Sequence, residues 1–196
     1  LVASDSSEST AAVSKTAQKK AAPSKQQSSA GYYLVSPGKF KMGSPASEDG
    51  HERDEALHTV EITRPFLIGL TEVTQAEYSE LVGTNPSEHT GCSRCPVERV
   101  TWMDAVRYCN ALSSLNGLMP AYRIGGQTAD SVAWDRGANG YRLPAEAEWE
   151  YAARAGQSTT YAGSNELDEV GWFTDNSGRK VHPVAQKAPN AWDLYD

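Results

Sequence analysis

Long apolar runs are the first thing this sequence lacks. The longest, such as Phe66 to Leu70, fall far short of the roughly 18 residues that a membrane-spanning helix requires. No transmembrane segment is therefore expected. Positive charge is also short, with 18 Lys and Arg against 25 Asp and Glu for a net charge of −7. Nucleic-acid binding needs clustered cations that displace phosphate counterions, so neither DNA nor RNA is expected as a partner. Cysteine is rarer still: three residues, with one CxxC at Cys92 and Cys95 and no second one. This count leaves the usual four-ligand zinc site incomplete. Nor does the start show a charged segment followed by an apolar one. It opens on Leu1, which reads as a processed or trimmed boundary.

What is present divides the chain in two. Residues 1–31 are rich in Ala, Ser, Lys, Gln and Thr, with Leu1, Val2 and Val13 as the larger aliphatics of residues 1–30. So little apolar surface cannot offset the entropy of ordering, and the segment is expected to be a disordered linker. Four Lys against Asp5 and Glu8 make residues 1–30 net +2, leaving −9 for the remainder. This suits a tether to a membrane anchor or another domain. Residues 32–196 carry the five Trp and most of the chain's hydrophobic content, enough for one domain with a core.

Within that domain the pattern is of short strands and few helices. YYLVSPGKFKMGS reads as two strands about Pro37 and Gly38, and His58 to Arg64 and Phe66 to Val73 as two more, separated at Pro65. Between these pairs, Pro45 to Glu55 is acidic and lacks the alternation of a calcium loop, so it is expected to be a solvated loop. Thr74 and Glu77 form a capping-box signature for a first helix ending at Gly83, with Tyr78, Leu81 and Val82 as its apolar face. A second helix begins after Thr101 and turns Ala105, Cys109 and Leu112 inward before Gly117. A third spans Glu146 to Ala155 with Trp149, Ala152 and Ala153 on one face. Tyr122 to Ile124 and Ser131 to Asp135 read as a hairpin.

Read in order, FKMGS from Phe40, FLIGLTEVTQAEY from Phe66, PVERVTWMDAVRYCNALS from Pro96, GYRLPAEAEWEYAARAG from Gly140, VGWFTDNSG from Val170 and HPVAQKAPNAWDLYD from His182 resemble the formylglycine-generating enzyme, or sulfatase-modifying factor, family over residues 32–196. The resemblance implies an α+β domain of C-type-lectin-like fold, with long ordered loops and about three helices. It also implies an activity in which oxygen and a copper ion on two cysteines convert a peptidyl cysteine in CxPxR to formylglycine. Those cysteines follow a GNxWEW motif that would continue from NAWDLYD, so no catalytic residue is assigned in this sequence. The alternative is a non-catalytic lectin-like binding or sensor module held by the linker.

Family members also hold structural calcium. By spacing back from Pro183, Asn176 matches a side-chain ligand and Asp175 adjoins it, whereas Val170 replaces an oxygen-bearing residue. Asp175 and Asn176 are thus the candidate metal ligands, with turn formation in DNSG as the competing role. Copper is implied only if cysteines beyond this sequence supply it. Ala145 stands where the family motif has a Thr that would cap the third helix.

Cys92 and Cys95 are expected first as a loop-stapling disulfide, then as free thiols, then as metal ligands with His89. Cys109 is expected to be a buried hydrophobe. Arg142 and Glu150 are expected to form a buried ion pair, most of Trp102, Trp134, Trp149, Trp172 and Trp192 to pack in the core, and His58 and His182 to be structural. A polypeptide substrate or ligand and an extracytoplasmic location of bacterial type complete the expectations.

Overall fold

The computed structural model describes residues 1–4, 31–48 and 50–195. Residues 5–30 of the linker expected over residues 1–31 lie outside the described residues, as does Asp49 of the acidic stretch. Five of the residues assigned to the linker, Leu1 to Ser4 and Gly31, are described. Strand β1 (Val2–Ser4) lies antiparallel to β5 (Phe66–Gly69), with Val2 opposite Ile68. The other side of β5 pairs with β2 (Tyr32–Val35). Val2 and Ala3 are buried, and Val2 also exchanges backbone hydrogen bonds with Arg142 at 2.9 and 2.8 Å. The linker assignment fails at this point because composition averages over a segment. A three-residue apolar strand needs only a waiting edge.

β3 (Gly38–Met42) and β4 (His58–Ile62) form a separate antiparallel pair, and β6 (Tyr122–Ile124) with β7 (Val132–Trp134) forms the expected hairpin. Among the described residues four α-helices accompany these strands: α1 (Gln75–Val82), α2 (Trp102–Leu115), α3 (Glu146–Arg154) and the short α4 (Leu167–Val170), which the sequence pattern does not reveal. The arrangement is α+β with long loops, as the motifs implied.

The capping box expected on α1 is present, and α2 has one that was not expected. Thr74 and Glu77 close on α1, and Thr101 and Asp104 on α2, each side chain satisfying the other residue's backbone N–H. α3 has half of one: the Ala145 N–H donates to Glu148 at 2.8 Å, but alanine has no oxygen to return the bond. Tyr78 of α1 stacks on Tyr108 of α2 with ring centroids 5.3 Å apart, joining the two helices.

The core gathers Val2, Val35, Ile62, Phe66, Ile68 and Ala152, flanked by Phe40, Tyr33, Tyr151 and Trp192. Trp192 stacks on Tyr33 and meets Tyr151 edge-on. Cys109 is fully buried, and desolvation pushes its thiol up to about 11.

The tryptophan expectation is corrected. Trp102, Trp134 and Trp149 are 47%, 40% and 59% exposed, while Trp172 and Trp192 are partly buried. In α3 the small Ala152 sits on the core and the large Trp149, three residues earlier, leans outward. Alanine permits close approach of the helix to the sheet, which moves the buried face toward Ala152 and away from Trp149.

Candidate functional site

α3 packs on β3 through Tyr151 and Phe40, whose ring centroids are 5.1 Å apart, and its side chains also hold the backbone just after β3. Gly43 N–H donates to Glu150 Oε1 at 2.9 Å, and Arg154 donates from Nε to the same oxygen at 2.7 Å and from Nη2 to the Gly43 carbonyl at 2.8 Å. Gly43 has φ +87°, and a Cβ there would fall 2.5 Å from the Glu55 carbonyl oxygen, so the loop closes this tightly only around glycine.

This geometry corrects the expected Arg142–Glu150 pair. Arg142, 8% exposed, binds Glu148 through two parallel bonds of 2.6 and 2.7 Å. Glu150 lies two residues further on, about 200° around the helix, and therefore serves the opposite side. Burial alone would raise the Glu148 carboxyl, but the Arg142 guanidinium and the Ala145 N–H hold it below its ordinary value of 4.5.

Beside the Gly43, Glu150 and Arg154 tie lies an open cavity of about 470 Å³. Trp149, Tyr161, Leu167 and Val170 give it apolar walls, and Glu48, Glu55, Glu146 and Glu150 make it acidic. Arg154 is its one lining cation among the described residues and is already bound to Glu150. On one wall Ser44, 6% exposed, donates from its hydroxyl to Glu55 at 2.8 Å, and His51 Nδ1 lies 2.6 Å from the same hydroxyl. The serine proton is committed to the carboxylate, so the trio anchors the acidic loop and does not present a nucleophile. Sequence reading missed this groove, because its walls come from four separated segments.

Asp175 and Asn176 lie elsewhere, after α4. The Asn176 side-chain oxygen accepts from the Phe173 N–H at 2.8 Å, and its nitrogen donates to Asp168 at 3.1 Å and to the Gly171 carbonyl at 3.0 Å. An ion there would have to displace the first of these bonds. Among the described residues no group of three His, Cys, Asp or Glu converges as a metal site. Cys92 and Cys95 are joined as a disulfide. His89 is instead paired with Glu98 at 2.9 Å. His58 contacts the Ala56 carbonyl, and His182 contacts the Ser177 carbonyl while stacking on Trp172 at 3.7 Å. The histidines expected to be structural are so placed.

One polar residue with a large role was not singled out beforehand. Asn190, 4% exposed, donates to the carbonyls of Ala152 and Ala153 at 2.8 and 3.0 Å and accepts from the Trp192 and Leu194 N–H groups. It ends α3 and shapes the final turn together. Its signal is the NAW tripeptide, readable only as a turn until the helix end it serves is known.

Short strands, capped helices and long loops, with a groove lined by α3, α4 and the loop after β3, define a class of α+β domain low in regular secondary structure. The domain model described as sulfatase-modifying factor enzyme 1-like matches residues 17–196, beginning earlier than Tyr32, and the chain belongs to that family. It is 42% identical over 163 residues to the chaperone protein LppX of Paenibacillus barcinonensis, an alignment covering 67% of this chain and 58% of that protein. It is 41% identical over 63 residues to the formylglycine-generating enzyme of Mycobacterium tuberculosis, covering 32% and 21%. The chain thus spans less than two thirds of either relative. Among solved structures it resembles Treponema denticola variable protein 1, with TM-score 0.74, 31% identity and coverage of 84% of this chain and 68% of that one. CarF follows at TM-score 0.65 with 30% identity, covering 84% and 75%.

Proposed function

We propose that this domain is a polypeptide-binding module, with the groove beside α3 as its binding surface. The observation that carries this reading is the exposure of Trp149 at the wall of an acidic, apolar-sided cavity. An exposed aromatic in a concave site is the usual anchor of a binding hot spot, and four carboxylates nearby favour a basic side chain next to the apolar one. The ligand class is therefore an exposed peptide segment pairing an apolar residue with Lys or Arg. Titrating a peptide library against the protein, followed by Trp fluorescence, tests it. Basic-apolar peptides should bind, and Trp149→Ala should weaken them about 30-fold. Equal binding by acidic peptides, or by the variant, overturns the reading.

The proposal includes an extracytoplasmic location, supported by the Cys92–Cys95 disulfide. No helix of the described residues is long and apolar enough to cross a membrane. Structural calcium enters through the exposed Asp175, with Asn176 joining if its oxygen gives up the Phe173 N–H. A calcium-dependent rise in Tm that disappears in Asp175→Asn tests this part.

Family membership favours a second reading for a longer protein containing this domain: oxygen-dependent oxidation of a peptidyl cysteine to formylglycine. The residues described here do not fit the copper site of that reaction. Two of the three cysteines are cross-linked and Cys109 is buried alone. No step is assigned to them. Mass spectrometry of a CxPxR peptide incubated with the longer protein decides between aldehyde formation and binding alone.

A further inference from the structure

The CSRC loop, Cys92 to Cys95, sits apart from the groove against the first turn of α1. Each of its four backbone carbonyls is held by a backbone N–H: Cys92 by Cys95 at 3.1 Å, Ser93 by Ala76 at 3.0 Å, Arg94 by Val184 at 3.0 Å and Cys95 by Gln75 at 2.8 Å. The buried Gln75 side chain adds a bond to the His89 carbonyl at 3.0 Å and one from Asn85 at 2.9 Å. The path of the loop is thus fixed without the sulfur bridge. A cross-link between residues only three apart also restrains the unfolded chain least, because the loop it closes is the shortest. A staple here would have little left to hold.

The two sulfurs differ in access. Cys95 is 1% exposed, whereas Cys92 is half-buried and lines an open cavity of about 420 Å³ beside Gln75, Asn85 and Gly91. An incoming thiol can reach one sulfur and not the other. The third cysteine cannot interfere, since Cys109 is fully enclosed.

We propose that Cys92 and Cys95 form a redox-active pair that exchanges with cysteine thiols of a polypeptide. A substrate thiolate attacks Cys92 Sγ, the Cys92–Cys95 bond breaks, and its electron pair leaves on Cys95 Sγ, which takes up a proton. A second substrate thiolate then attacks the substrate sulfur of the mixed disulfide, and Cys92 departs as a thiolate and is protonated. Two electrons and two protons pass from the substrate, which gains a disulfide, to the pair, which becomes a dithiol. A small-molecule disulfide such as glutathione disulfide reverses the change and reoxidises the pair. The fixed backbone keeps both thiols in place between turnovers.

The test mixes the oxidised chain with one equivalent of a synthetic peptide carrying two cysteines, then acid-quenches, alkylates and weighs both partners. The peptide should be oxidised, one disulfide per protein reduced. Cys95→Ser, offered a one-cysteine peptide carried as its mixed disulfide with glutathione, should take that peptide onto Cys92 with release of the glutathione thiol, and Cys92→Ser should slow oxidation of the two-cysteine peptide at least tenfold. Peptide oxidation at an unchanged rate in Cys92→Ser, trapping on Cys95, or a peptide that stays reduced would each overturn the proposal. A second measurement needs no variant: wild-type protein is equilibrated in glutathione buffers and followed by near-ultraviolet circular dichroism. Reversible reduction with the tertiary spectrum retained supports the pair as redox-active. Reduction seen only together with unfolding makes it a structural staple and sinks the idea.

Discussion

Arg142 carries more of this structure than its place in a strand end suggests. Its guanidinium binds Glu148 in a buried two-bond pair, its backbone pairs with Val2, and it lies 5.0 Å over the ring of Trp134. Removing one partner strands the other charge away from water, so Arg142→Met should cost about 3–5 kcal/mol in urea unfolding. The pair also sets a pH dependence. Because the folded Glu148 titrates below its ordinary 4.5, its contribution is fully present above that value and disappears as pH falls through the lower folded value. A Glu148→Gln variant should be less stable at neutral pH, and its stability should fall less steeply than wild type on acidification below 4.5. Cys109 offers a simpler check at the same scale. Buried and with its thiol pushed up to about 11, it should not react with an aromatic disulfide reagent until the protein unfolds.

Among the elements, α3 shows most directly what its sequence omits. Ala145 leaves the helix with the returning half of a capping box, so Ala145→Thr should stabilise the protein by about 1 kcal/mol, measured as a raised denaturation midpoint. An unchanged midpoint would mean that the Glu148 bond already satisfies this end. The same helix marks the boundary of what was legible. Its limits, and those of α1 and α2, follow from caps and periodicity, which are local properties. Its facing does not: whether Trp149 or Ala152 turns inward depends on how near the sheet lies, and on Gly43 and Glu150 being joined across 107 positions. The partner of Arg142 was misplaced for that reason, and β1 for a related one, since Val2 to Ser4 form a strand only because β5 has a free edge. The groove was invisible because no single segment holds enough of it to leave a pattern.

At the scale of the molecule, the described residues spread their order over three small sheets and many loop contacts rather than one wide sheet. Asn190 connects these parts, linking α3 to the Trp192 turn, while the Tyr195 N–H reaches the Leu70 carbonyl at 2.9 Å. Asn190→Ala would leave buried carbonyl and N–H groups without partners at both ends and should cost about 2–4 kcal/mol, seen as a lower Tm with loss of cooperativity. Such wiring also has a kinetic meaning. β5 takes β1 on one edge and β2 on the other, and Val2 is further bonded to Arg142, so the central sheet joins residues lying well over a hundred positions apart. A chain emerging from the ribosome can pair β1, β2 and β5 once Gly69 is made, but the Val2–Arg142 bridge waits for the later portion. High contact order of this kind slows folding, and the side of Val2 that waits for Arg142 would be exposed to other chains during synthesis.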